Sequence, residues 1–379
     1  GPDRTHGNRR AIMRPVQSYL RGSAGPLADI YDVALLDLDG VVYIGPEAVR
    51  GAPQALAAAR RAGMRLAFVT NNAARTPEAV AAHLTELGVD AQPPEVVTSA
   101  QAAARYLAEQ LPAQARVLVV GTTGLEEALR ERSLVPVGDA LGQVDAVAQG
   151  YSPDLTWRLL AEGAVAINLG VPWVATNADP TVPSPRGRLP GNGALVAALR
   201  VATGAEPVVT GKPDPAMHRE SLLRSEAQHP VVVGDRLDTD IEGANAVGCD
   251  SMLVLSGVTS PREALYATPR QRPTYLATDV GGLLQRHPEP DLNPDGVVTC
   301  GAWRAAAVEG QRGARLKLTL SPDGRRGSPD RLADLDALRA LCGASWRLPG
   351  GDRTVEADGD DERSKLASER ALGRLGLLG

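Results

Sequence analysis

Aromatic side chains are scarce in this 379-residue chain, at 3% of the total, with Phe68 the single phenylalanine. A core drawn from such a composition has to be packed from Ala, Val and Leu. Lysine is scarcer still: of the 40 basic residues only Lys212, Lys317 and Lys365 are lysines, the codon bias of a GC-rich genome. In that background each lysine needs a reason. Cysteine is limited to Cys249, Cys300 and Cys342, an odd number without metal-ligand spacing. That excludes a disulfide framework and a zinc cluster and suits a reducing cytoplasm. Long apolar runs are missing too, since none approaches the roughly 18 residues of a membrane span. The net charge of -5 argues against a nucleic acid or an anionic membrane as partner. The five histidines are scattered and read as surface or packing residues.

From Asp32 onward short apolar runs alternate with helical patterns. Val33–Leu36 is followed by Pro53 and an Ala/Leu-rich stretch that stops at Gly63, a proline-first, glycine-after helix. Leu66–Val69 is the next run, and Thr76-Pro77-Glu78 is a capped helix start closed by Gly88. The rhythm continues through Arg116–Val120, Ala146–Ala148, Trp173–Ala175, Pro207–Val209, Val231–Val233, Met252–Leu255 and Thr274–Ala277. Such alternation predicts an α/β fold, a doubly wound parallel sheet with right-handed crossovers. The polar, Arg-bearing stretch before residue 28 has no apolar centre and reads as a tail, not a secretory signal. After the Pro/Asp-rich linker near 287–296 the text changes character. A hairpin (Trp303–Val308 with Arg315–Leu320), a helix after Ser328-Pro329, a strand near Val355 and a helix Asp361–Leu372 predict a small α+β appendage.

In open parallel sheets reactive groups gather where strands end and helices begin. Here the strand ends read Asp37-Leu38-Asp39-Gly40, Thr70-Asn71-Asn72, Thr210-Gly211-Lys212-Pro213 and Gly234-Asp235 running on to Asp240. Alone, each is an ordinary turn or helix cap. Together they put several carboxylates at one place, which repel unless a cation offsets them. Oxygen ligands without a His or Cys cluster point to Mg²⁺. The lysine and the hydroxyl point to an anionic substrate, phosphate being the natural one.

This ordered set resembles the haloacid dehalogenase-like phosphatases. Asp37 to Tyr43 looks like their first motif, Thr70 their second, Lys212 their third, and Asp235 with Asp240 their fourth. More than 130 residues separate Thr70 from Lys212, room for the large α/β cap inserted there in part of the family. The Thr-Asn-Asn triplet and the stretch from Ala175 to Ala194 are similar to the para-nitrophenylphosphatase branch, and most of all to its actinobacterial glycerol-3-phosphate phosphatases. The resemblance implies a tail over 1–28, a core from 29–95 and 207–288, a cap over 96–206, and a linker with its appendage over 289–379.

What the resemblance implies for function is a Mg²⁺-dependent phosphomonoesterase. Asp37 would be the nucleophile, Asp39 the general acid and base, and Thr70, Asn71 and Lys212 the phosphate holders. Asp37, the Asp39 carbonyl and Asp235 would hold the metal, with Asp240 orienting a water beside it. The substrate would be a small phosphorylated metabolite, glycerol 3-phosphate first, with phosphoglycolate, a sugar phosphate or a nucleotide as alternatives. A monomer or homodimer in the cytoplasm, with neither nucleic acid nor membrane as partner, completes the expectation. A retired, binding-only member is the alternative of another class, weakened because Asp37, Asp39, Thr70, Lys212 and Asp235 are all in place. Asp39 argues for a leaving group that needs a proton, unlike halide. Thr98–Glu206 has no lysine for imine chemistry, and no cysteine has an arginine six positions on.

Three further stretches carry possible function. The Gly/Pro-rich loop Asn177–Gly193 holds Asn177, Asp179, Arg186, Arg188 and Asn192 as candidates for substrate specificity, with Asn72 and Arg75 as second choices. Gly121-Thr122-Thr123-Gly124 lacks the full dinucleotide pattern and reads as a structural turn. Residues 367–376 weakly resemble the last helix of GNAT-type acetyltransferases, without a recognisable acyl-CoA loop; packing or dimerisation is the expectation there.

Overall fold

The computed structural model describes residues 20–184, 186–309, 315–324, 334–348 and 352–378. The first 19 residues of the expected tail and the Ser328-Pro329 helix start lie outside them. Six parallel strands form the central sheet, in the order Tyr275–Ala277, Asp250–Val254, Pro230–Gly234, Val33–Leu36, Arg65–Thr70, Val96–Thr98. Side chains alternate across a strand, so each run feeds two layers. Ala34, Leu36, Val231, Val233, Leu66 and Phe68 pack on one side with Leu56, Ala59, Val80 and Leu84 from helices Ala52–Arg61 and Pro77–Glu86. Val33, Leu35, Ala67, Val69 and Val232 pack on the other, with Met217 and Ala244 from helices Pro215–Ser225 and Glu242–Ala246. Local signals set the helix ends: Thr76 accepts a hydrogen bond from the Ala79 amide at 3.3 Å, and Gly63 and Gly88 take the left-handed conformation that stops the two helices.

Val33–Leu36 is central, with Leu36 in register with Val233 on one side and Phe68 on the other. Asp37 therefore leaves the middle of the sheet, level with Gly234 and Val69, one step short of Asp235 and Thr70. Crossovers depart in opposite directions from this strand, which opens the crevice where such sheets bind ligands.

A second parallel sheet runs Val208–Val209, Trp173–Ala175, Ala146–Gln149, Arg116–Val120, Val135–Val137. Helices Ser99–Ala108 and Thr123–Glu131 cover one face, and Trp157–Asn168 and Asn192–Thr203 the other. Sheet membership falls a few residues from the expected seams. Val96–Thr98, expected to open the cap, pairs with the central sheet; Val208–Val209, expected in the core, pairs with the second one. Short strands beside a crossing point carry no sequence mark of which sheet they join. Hydrogen-bond partners decide it.

The C-terminal part forms a five-stranded sheet, Asp291–Leu292, Val298–Cys300, Trp303–Glu309, Arg315–Pro322 and Asp352–Ala357, antiparallel except for its last pair. Helices Asp334–Ser345 and Glu362–Arg374 lie on it. The first two of these strands went unseen in the sequence, being two and three residues long. This part has no core of its own: Val298, Trp303, Leu318, Leu338 and Leu341 share one cluster with Ile241, Leu253, Leu265 and Leu276 of the central unit. Buried Arg339 donates to the Leu276 carbonyl at 2.6 Å and to Asp336 at 2.6 Å, covering the edge strand. No helix among the described residues is long and apolar enough to cross a membrane.

Deleting 289–379 would bare Leu253 and Leu276, each worth about 1.5–3 kcal/mol when buried. The truncated chain should aggregate or melt well below the full one, as soluble yield and a thermal melt would read. A soluble truncation with the wild-type melting temperature would show that the shared cluster is dispensable.

Candidate active site

Asp37 continues the central strand, its amide donating to the Val233 carbonyl at 2.9 Å. Leu38 turns into the core, and Asp39 emerges on the open side, as alternation requires. The chain then doubles back, with Val42 N–H bonded to the Leu38 carbonyl at 2.9 Å and Gly40 N–H to Tyr43 at 2.8 Å. Gly40 has φ +80°, and a Cβ there would strike the Asp235 carboxylate; Gly257 meets the same carboxylate from the other side. Two glycines thus make a socket that fits Asp235 and nothing larger.

Motif four holds a feature the sequence did not disclose. Leu237–Ile241 is a π-helical turn ahead of helix Glu242–Ala246, with Ile241 N–H bonded to the Arg236 carbonyl at 3.2 Å. Such turns insert one residue into a helical path and re-aim side chains. Asp240 is thereby folded back, one oxygen accepting from the Arg236 amide at 3.1 Å. Lys212 Nζ donates to its other oxygen at 2.7 Å and to Asp37 Oδ1 at 2.5 Å. Asp37, Asp235 and Asp240 each offer an oxygen within 4.8 Å of the others. Asp235 Oδ2 accepts from the Val258 amide at 2.7 Å, while its buried Oδ1 has no partner among the described residues.

The electrostatics follow. Burial and the Asp240 and Asp235 charges hold Asp37 well above the usual carboxylate range, against Lys212. Burial and Asp240 lift Asp235 to about 6. Burial raises Asp39, opposed by Lys212, Arg75 and His83. For Lys212, burial works against the charge, but Asp240 and Asp37 outweigh it and keep the ammonium above its ordinary pKa. An orphaned carboxylate oxygen among like charges fits a hard divalent cation.

Thr70 ends its strand buried, its hydroxyl accepting from the Asn72 amide at 3.1 Å. Asn71 is the knot between the sheets. Its carboxamide pairs with the Lys212 backbone (N–H to Oδ1 2.8 Å, Nδ2 to carbonyl 3.2 Å), and its carbonyl accepts from Ser99 at 2.6 Å and Asn177 at 2.8 Å. Asn71 thus orients the lysine. Asn177 also takes the Asp179 amide at 3.1 Å, and Asn192 donates to the Asn177 carbonyl at 2.8 Å. Both are buried supports of the loop that carries Asp179. Asp179 itself is half-buried, its pKa raised by burial against Arg236 and Lys212. The expected loop beyond it contains an antiparallel hairpin, Thr181–Ser184 with Gly187–Pro190. Arg186 and Arg188 are exposed on it, while Lys212, Arg75, His83 and Arg236 act on Asp39 or Asp179. Thr122 and Gly124, read as a structural turn, pack against residues 73–75: the Thr122 hydroxyl donates to the Ala74 carbonyl at 2.8 Å.

Residues 34–134 match the family model for haloacid dehalogenase-like hydrolases, and 209–283 a second model of the same kind. The chain is 44% identical over 348 residues to the D-glycerol 3-phosphate phosphatase of Mycobacterium tuberculosis, spanning 91% of this chain and 95% of that one. The chain belongs to the haloacid dehalogenase-like hydrolases. An acid sugar phosphatase of Staphylococcus haemolyticus is 38% identical over 252 residues, 66% of this chain and 94% of its own length. Among solved structures, this hydrolase matches the glycerol phosphate phosphatase of M. tuberculosis in complex with magnesium with a TM-score of 0.79 and 42% identity, covering 94% of this chain and 100% of that one. It matches the p-nitrophenyl phosphatase of Archaeoglobus fulgidus at 0.62 and 28% identity, over 67% of this chain and 98% of that one. Residues 300–377 match a model for a GCN5-related N-acetyltransferase-like domain, so the likeness seen in the last helix extends over most of the appendage.

One of the five histidines expected at the surface or in packing is buried in this hydrolase. His218, on the helix after Lys212, is almost wholly buried with neither ring nitrogen partnered among the described residues. Burial, then the Lys212 charge, push its pKa down to about 4, with Asp240 acting the other way. The unfolded chain takes up a proton near the ordinary value of about 6.5 that the folded chain refuses until about 4. The part of the stability that depends on His218 is therefore full above that ordinary value and is lost as pH falls through the window. His218→Gln should shrink the drop in melting temperature between about pH 7 and about pH 5. An unchanged drop would show that another group drives it.

Proposed function

We propose that this chain is a Mg²⁺-dependent phosphomonoesterase that hydrolyses glycerol 3-phosphate to glycerol and phosphate through an aspartyl-phosphate. The observation that carries the reading is Lys212 Nζ bridging Asp37 and Asp240 beside the unpartnered oxygen of Asp235. The substrate comes from the similarity to the mycobacterial D-glycerol 3-phosphate phosphatase over nearly the whole of both chains. The magnesium-bound structure of that enzyme's kind supports the ion.

Asp37 supplies the nucleophile: a carboxylate oxygen forms a bond to phosphorus as the bond to the glycerol oxygen breaks. Asp39 gives its proton to the departing alkoxide, and the burial that raises its pKa keeps that proton available. Water then attacks the aspartyl-phosphate, Asp39 takes the proton back, and phosphate leaves with Asp37 restored. Lys212, the Thr70 hydroxyl and the main-chain amides near Gly40 and Asn71 hold the equatorial oxygens, where the charge of a transferring phosphoryl group lies. Asp37, the Asp39 carbonyl and Asp235 would hold Mg²⁺, which when bound offsets the charge of the carboxylates and the phosphate. Asp240 fits an outer position, since Lys212 and the Arg236 amide occupy both its oxygens. Asp179, with Arg236 across the seam, is the favoured contact for the glycerol end.

A tail, a two-part core, a cap and an appendage belong to this reading, with the expected bounds (1–28, 29–95 and 207–288, 96–206, 289–379) shifted so that Leu27, Ala28 and Val96–Thr98 fall in the core and Val208–Val209 in the cap. So does a cytoplasmic monomer or homodimer that binds neither nucleic acid nor membrane.

Phosphate release from glycerol 3-phosphate, phosphoglycolate, a sugar phosphate and a nucleotide tests it. Turnover should be highest on glycerol 3-phosphate, vanish with chelator, and be abolished in Asp37→Asn. Lys212→Met should lose about 10²–10³ in kcat, as for removal of one preorganised charge donor. Metal- and Asp37-dependent turnover led by another ester would move the substrate, and no turnover of any ester would sink the enzyme reading.

A further inference from the structure

Away from the catalytic groups, one fully buried carboxylate has no part in the reaction described. Glu220 lies on helix Pro215–Ser225, which starts three residues after Lys212, and its side chain is sealed from solvent. Three arginines converge on it. Its Oε1 accepts from Arg132 Nη2 at 3.0 Å and from Arg224 Nε at 2.5 Å, and its Oε2 accepts from Arg105 Nε. Arg224 also donates to Glu131 at 2.8 Å. Glu220 and Arg224 sit on the central unit, whereas Arg105, Glu131 and Arg132 belong to helices Ser99–Ala108 and Thr123–Glu131, packed on the second sheet, or directly follow them.

We propose that Glu220 is a positioning residue, the joint that fixes the angle between the second sheet's unit and the core. The inference rests on the phosphatase reading for its kinetic consequence only. The two chain crossings between the units, at Thr98–Ser99 and Val209–Gly211, are tied at Asn71, and Thr122 bonds the Ala74 carbonyl three residues on. These polar ties cluster at residues 71–74, and the Glu220 cluster adds one set off along the helix, where the remaining contact, such as Ala102 with Met217, is apolar. An ion cluster suits the task because each guanidinium fork bonds in a defined direction, while apolar packing would tolerate sliding. Burying the charge has a desolvation cost that apolar residues would avoid, so its gain is in geometry, not in stability. The angle matters because the far unit carries Asp179 to Arg236 and Lys212. With the joint loosened, a fraction of molecules holds Asp179 in place, and apparent affinity falls by that fraction. Once substrate is bound in the correct geometry, the chemistry is unaltered.

The test uses the full-length protein with Mg²⁺. Glu220→Gln, which keeps the shape and removes the charge, should raise KM for glycerol 3-phosphate about tenfold with kcat within about twofold. Glu220→Asp should recover part of the KM. Amide exchange over residues 73–75 and 176–179 should quicken in the Gln variant, a readout that needs no turnover and stands even if wild type proves inactive on every ester. Should Glu220→Gln fail to fold, Arg132→Met removes one donor and should give the same KM-only change at smaller size. A folded variant with unchanged KM and unchanged exchange, or one that loses kcat at constant KM, overturns the proposal.

Discussion

Three carboxylates held within 4.8 Å in a mostly buried site repel one another strongly, and much of the surrounding structure is arranged to keep them there. Lys212 bonds to two of them directly. The third, on Asp235, is fixed by the Val258 amide and by two glycines that leave room for no side chain. Folding alone would not favour such a cluster. A bound divalent cation would offset the repulsion, and the oxygen of Asp235 that has no partner among the described residues and the ammonium of Lys212 thus belong to one device in the proposed reading.

Holding that device requires an accurate seam. Lys212 follows a strand of the second sheet, yet its ammonium must reach groups beyond two strand ends of the first, Asp37 and Asp240. Asn71 solves this locally by pairing its carboxamide with the lysine backbone, and the Asn177–Asn192 chain extends the same fastening to the Asp179 loop. The Glu220 cluster braces the other side. Asparagines at the hinge and arginines at the brace both use directional polar bonds where a greasy contact would slip.

The acetyltransferase-like appendage contributes differently. It completes the outer layer of the central sheet with Leu338 and Leu341 against Leu253 and Leu276. Ile241, at the end of the π-helical turn that aims Asp240, belongs to the same cluster. Packing of the appendage and geometry of motif four are thus continuous through Ile241 and through Leu237, which packs against the same cluster. The Staphylococcus acid sugar phosphatases, which align over 252 residues, show that related chains manage without this layer.

The sequence by itself determined the alternating elements, the reactive strand ends and their order, because period-two and 3.6 patterns, glycine stops and Asp-x-Asp spacing are local properties. Val33–Leu36, Trp173–Ala175 and the capped helix at Thr76 stand where their residues put them. Tertiary structure decided the rest. Which sheet Val96–Thr98 and Val208–Val209 join depends on hydrogen bonds to residues far away in the chain. The π-helical turn at Asp240 has no mark in the sequence. Asn71 is expected from the sequence as a phosphate holder and Asn177 and Asn192 as specificity candidates, and only their partners reveal them as fasteners. Glu220 sits among ordinary helix charges in the text, and its meaning depends on arginines 88 and 115 positions away that no local pattern could bring together.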